Sequence, residues 1–74
     1  MRLELQRVRK INNLTQKNVA DYLRITNGMY QKIEYGTRGT SEDNWIRLFE
    51  YFGGNIPLQE LMKNTAERAG TQRR

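Results

Sequence analysis

LTQKNVADYLRITNGMYQKIEYG, residues 14–36, decides how this chain folds. Thr15 is suited to cap a helix by accepting a backbone N–H from its first turn. The helix it opens runs from about Gln16 to Leu23 and buries Val19, Ala20 and Leu23 on one side. Arg24-Ile25 makes a short turn. Thr26 caps the next helix, Asn27 to Tyr35, whose inward positions are Tyr30 and Ile33, and Gly36 ends it. Two helices of about eight residues, joined by a turn of roughly three to four, cross steeply and leave the second standing out from the body. A protruding helix fits a DNA major groove about 12 Å wide. Ala20 supplies the small residue needed where the two helices touch.

Helical spacing extends outward on both sides. Upstream, Leu5, Val8 and Ile11 predict an apolar stripe on a helix from about Arg2 to Asn12, with Leu3 at its edge. Asn13 tolerates the left-handed conformation that ends such a helix. Downstream, Thr37-Arg38-Gly39-Thr40 reads as a polar loop. Ser41 caps a fourth helix with Glu42 and Asp43 in its first turn, where negative charge suits the helix dipole. Trp45, Leu48, Phe49 and Phe52 form its stripe, and Gly53-Gly54-Asn55 breaks it. Pro57 falls in the first turn of a fifth helix carrying Leu58, Leu61 and Met62. No run alternates as a strand would, so the expected class is all-α, five helices in one domain over residues 1–64. Residues 65–74, with Arg68, Arg73 and Arg74, read as a basic, flexible tail that adds phosphate contacts or is inert.

Composition narrows the chemistry. A 74-residue chain has room for one small core and little for an enclosed substrate pocket. It contains no cysteine and no histidine. Disulfides, thiolate metal sites and Ser-His-Asp or Cys-His catalysis are therefore excluded, and neither an enzyme, a metal nor a cofactor is expected. The net charge of +5 points to a polyanionic partner, nucleic acid or an acidic membrane. No apolar run approaches the roughly 20 residues that span a bilayer. The N-terminal MRLELQRVRK is too charged for a signal peptide, which suggests a cytoplasmic protein.

The stretch VRKINNLTQKNVADYLRITNGMYQKIEYGTRG resembles the helix-turn-helix of the Cro and phage-repressor family, also called the xenobiotic-response-element family. The likeness covers about Leu5 to Met62. It rests on Arg9, Leu14-Thr15-Gln16, Val19-Ala20, Leu23, Ile25-Thr26, and Ile33-Glu34 followed by Gly36. It implies a compact five-helix, lambda-repressor-like DNA-binding domain that works as a homodimer and regulates transcription, often in phages and mobile elements. Carried over by position, Gln16 touches a phosphate, Asn27, Gly28 and Lys32 face base edges, and Arg38 lies near the backbone or the groove edge. Arg9 and Glu34 match a family salt bridge. The chain also departs from the pattern. Arg24 replaces the turn glycine, Tyr30 replaces a small aliphatic residue, Gly28 replaces a polar residue, and the loop before the last helix is slightly longer.

The candidate DNA base contacts are thus Asn27, Gly28, Gln31 and Lys32. Asparagine reads adenine and lysine reads guanine in the major groove. Gln31 is assigned to a base, a flank or a phosphate, and Gly28 to close backbone approach. Gln16, Lys17, Tyr35 and Arg38 are the phosphate candidates, which position but do not specify. Arg9 and Glu34 form a structural salt bridge. The aromatic residues of the fourth helix are core, rather than a stacking surface for single strands. Leu58, Leu61 and Met62 either close the core or face a second subunit. The expected function is a sequence-specific regulator of double-stranded DNA, a repressor reading the major groove with Asn27 to Tyr35. The alternative is an antitoxin or adaptor whose main partner is another protein.

Overall fold

A computed structural model describes residues 1–64. The tail from residue 65 lies outside the described residues. Five helices follow in order: α1 Leu3–Ile11, α2 Gln16–Leu23, α3 Asn27–Tyr35, α4 Glu42–Tyr51 and α5 Leu58–Met62. The described residues contain no strand. The all-α, five-helix expectation holds.

Local chemistry sets the boundaries. At α2 the Thr15 hydroxyl accepts the Asn18 N–H at 3.0 Å, and the Asn18 side chain accepts the Thr15 N–H at 2.9 Å. Both groups of this capping box satisfy donors the helix itself cannot. Thr26 caps α3 through the Met29 N–H at 3.1 Å, and Ser41 caps α4 through the Asn44 N–H at 3.2 Å. The first four helices all end on a left-handed residue: Asn13, Arg24, Gly36 and Gly53. In each, the next residue's N–H returns to a carbonyl five positions back. These bonds are Leu14 to Arg9, Ile25 to Ala20, Thr37 to Lys32 and Gly54 to Phe49, at 3.2, 3.0, 3.1 and 2.9 Å. Helix carbonyls that lack a partner are thereby satisfied.

The core contains Leu5, Val8, Val19, Ala20, Leu23, Tyr30, Ile33, Trp45, Leu48, Phe52 and Leu61. It draws side chains from all five helices and from Phe52, just past the end of α4. Ala20 is buried in the α2 face that packs on α3, where its single methyl lets the helices approach. On the rim, the rings of Tyr22 and Tyr51 stack with centroids 3.9 Å apart, joining α2 to α4.

Two sequence expectations need correction. Ile11, expected on the inward stripe of α1, is 63% exposed. A helix turns about 100° per residue, so Ile11 lies beyond Val8, away from Leu5. The inward face is Leu5, Val8 and Arg9. Pro57 is not in the first turn of α5 but is the cap residue before it, in an extended conformation. Its ring fixes φ at −58°, which suits either position, and ψ of 145° places it outside the helix. Smaller shifts occur in the apolar set. Phe49 is only partly buried, and Leu61 is buried while Met62 is 43% exposed.

Candidate nucleic-acid interface

α3 has two chemically different faces. Tyr30, Ile33 and Glu34 point into the body and are buried. Asn27, Gly28, Gln31, Lys32 and Tyr35 are all exposed. The spacing explains the division: 27 and 31, and 28 and 32, are four apart, so each pair shares one side of the helix. Residue 35 continues the same side. The four residues assigned to bases therefore share one surface, with Tyr35 at its C-terminal end. A methyl added at Gly28 would meet no protein atom within 4 Å, so no internal packing requires glycine there.

The inward face is anchored by a buried ion pair. Glu34 is 1% exposed and accepts bonds on both carboxylate oxygens. Arg9 donates through Nε to Oε2 at 2.7 Å and through Nη2 to Oε1 at 3.2 Å. Gln16 Nε2 donates to Oε1 at 2.8 Å, and the Tyr30 hydroxyl to Oε2 at 2.9 Å. Arg9 also donates to the Leu14 carbonyl at 2.8 Å. Burial acts to raise the Glu34 pKa, but the bonds from Arg9, Gln16 and Tyr30 outweigh it and hold the carboxyl below its ordinary value. The same burial, beside the Glu34 charge, pushes the Tyr30 phenol well above its usual range. The Arg9 and Glu34 pair is thus buried with both carboxylate oxygens bonded, and Tyr30 finds the partner that its buried hydroxyl requires.

Gln16 does more than face solvent at the start of α2. Its amide is tied to Glu34, which draws the beginning of α2 toward α3. The two elements line an open groove with Gln6, Gln31, Lys32 and Tyr35. Lys17 is exposed and pairs with Asp21 at 3.3 Å, an exchangeable surface contact. Arg38 is exposed on the loop after α3. The phosphate candidates therefore lie at the start of α2 (Gln16, Lys17), at the end of α3 (Tyr35) and on the following loop (Arg38).

Arg2 carries contacts that no sequence pattern marks. Its backbone N–H bonds the Glu34 carbonyl at 2.9 Å. Its guanidinium donates to the carbonyls of Ile33 at 2.6 Å, Arg38 at 2.9 Å and Met62 at 3.0 Å. It also lies over the Trp45 ring, 5.2 Å from the centroid. Asn64 adds a bond from its amide to the Gly36 carbonyl at 2.9 Å. Together these residues fix the exit of α3 and the loop carrying Arg38. An arginine among the charges that open α1 carries no pattern that announces such long-range bonds.

A family model described as helix-turn-helix matches residues 5–61, more than half of the chain. No curated protein and no solved structure matches it. No helix among the described residues is long and apolar enough to cross a membrane.

Proposed function

The chain belongs to the Cro and phage-repressor type of helix-turn-helix family, whose members are DNA-binding transcription regulators, and on that premise we propose that it is a sequence-specific repressor acting on double-stranded DNA. The observation that carries this reading is the exposed side of α3, a polar surface on a helix whose other side is locked by Tyr30, Ile33 and Glu34. A helix held this rigidly presents its side chains to a groove without losing much freedom on binding. Asn27 and Lys32 read base edges, Gln31 reads a base or its flank, and Gly28 lets the backbone come close. Gln16, Lys17, Tyr35 and Arg38 hold phosphates and set the register.

The protein acts as a homodimer. Two copies place their α3 helices in successive major grooves, with half-sites about 34 Å apart. Bound over a promoter, such a dimer blocks polymerase. Its place of action is the cytoplasm, with the DNA it regulates. Selection of binding sites from a random duplex library tests this function. Recovery of a short inverted repeat, with half-sites one helical turn apart, is the expected result. A folded protein that enriches no duplex would contradict it and favour a protein partner.

A further inference from the structure

The residues that close helices α1 to α4 share a positive φ but not one chemistry. Three of the four left-handed positions carry asparagine or glycine: Asn13, Gly36 and Gly53. These residue types accept positive φ at little cost, asparagine because its short side chain bonds locally and glycine because it lacks a Cβ. The fourth carries Arg24 at φ 61° and ψ 44°. Nothing local compensates for this. The Arg24 side chain is exposed and makes no hydrogen bond or ion pair among the described residues. The return bonds that close α2, Arg24 N–H to Asp21 and Ile25 N–H to Ala20, use backbone atoms alone, and glycine would make them equally well. Among the described residues nothing bonds the guanidinium, so the left-handed arginine is not explained by contacts within them.

Its position indicates an external partner. Arg24 precedes the Thr26 cap by two residues, so its Cα lies within about 11 Å of that of Asn27, the first base-facing residue. The start of α3 carries unpaired N–H groups and the positive end of the helix dipole. On the proposed docking of α3 in a major groove, this end faces a bordering strand. We infer that Arg24 donates its guanidinium to a backbone phosphate flanking the groove at the N-terminal end of α3. This inference rests on the proposed DNA-binding function. The planar fork of arginine matches two phosphate oxygens, and a cation with no partner among the described residues breaks no bond to them in reaching a phosphate. The contact adds affinity on any sequence and extends the phosphate grip beyond that of Gln16, Lys17, Tyr35 and Arg38.

The test compares the full chain with Arg24→Gly and Arg24→Lys, using a selected duplex and an unrelated duplex of equal length. Melting temperature and the salt dependence of Kd are measured for each protein. Arg24→Gly is expected to melt higher because the left-handed strain is gone. It should bind both duplexes severalfold more weakly, with the log Kd against log salt slope reduced by about one. Arg24→Lys should keep most of the slope. A structural role for Arg24 cannot give higher stability with weaker binding. Wild-type affinity and slope in Arg24→Gly would overturn the inference and leave the proposed function standing, as would loss of binding accompanied by a lower melting temperature. A wild-type protein that binds neither duplex would overturn both.

Discussion

Arg9 grips Glu34 with two nitrogens, at 2.7 and 3.2 Å, and so fastens α3 to α1. The carboxylate is completed by Gln16 and Tyr30, and no buried side-chain polar atom among the described residues lacks a partner. A satisfied network of this kind holds a helix in one orientation, whereas a broken one leaves a buried charge exposed to a poor environment.

Glu34→Ala should therefore lower stability by about 3–5 kcal/mol, because Arg9 is left buried without its counter-charge. Thermal or urea unfolding measures the loss. In a chain this short, that is much of the total stability. An unchanged melting temperature would show that the pair contributes nothing to the fold.

The same carboxylate predicts a pH dependence. The folded state holds Glu34 below its ordinary value of 4.5, so folding favours the ionised form. The stabilisation is present above about pH 4.5 and is lost as pH falls through the lower folded value. Melting temperatures followed from pH 7 to pH 3 should decline for the wild-type protein. Glu34→Gln cannot ionise there, so its decline should be shallower. Parallel curves would assign the acid sensitivity to other groups.

Much of this arrangement was legible in the sequence because it is local. Thr15, Thr26, Gly36 and Ser41 mark helix ends by their own side chains or lack of one, and α2 and α3 begin and end where those residues indicate. Tyr30 and Ile33 fall inward because helical periodicity needs no knowledge of the partner surface. Ile11 misled because a stripe with period three drifts around a helix of 3.6 residues per turn. Its inward place goes to Arg9, a charged residue that only a carboxylate 25 positions away makes buriable. The Arg9 and Glu34 pair was legible only through the family resemblance, and Arg2 had no such signal. Its acceptors are backbone carbonyls of Ile33, Arg38 and Met62, which have no side-chain signature and meet only in the folded chain.

Gly28→Ala separates folding from recognition. The added methyl meets no protein atom within 4 Å, so helix propensity alone acts on stability. The gain should be about 0.5–1 kcal/mol in chemical unfolding. If α3 lies close against DNA at this point, the same methyl weakens duplex binding. Unchanged binding would remove Gly28 from the contact surface.

The two sets of proposed DNA contacts should differ in kind. Asn27→Ala and Lys32→Ala should each weaken binding to a selected site by about 1–3 kcal/mol and change an unrelated duplex much less. Lys17→Ala and Arg38→Ala should weaken both duplexes alike and lower the salt slope by about one. Gln16→Ala is a poorer probe because it also removes a bond to Glu34. Competition binding at several salt concentrations distinguishes the sets. Equal losses on both duplexes for all four variants would abolish the division of labour.

The most direct test of the account is an amide NMR titration of the isotope-labelled protein with a selected duplex. The exposed side of α3, with the start of α2 and the Arg38 loop, should carry the largest shift changes, centred on Asn27, Gly28, Gln31 and Lys32. Large changes confined to α4 and α5, with α3 silent, would contradict the claim that α3 enters the groove.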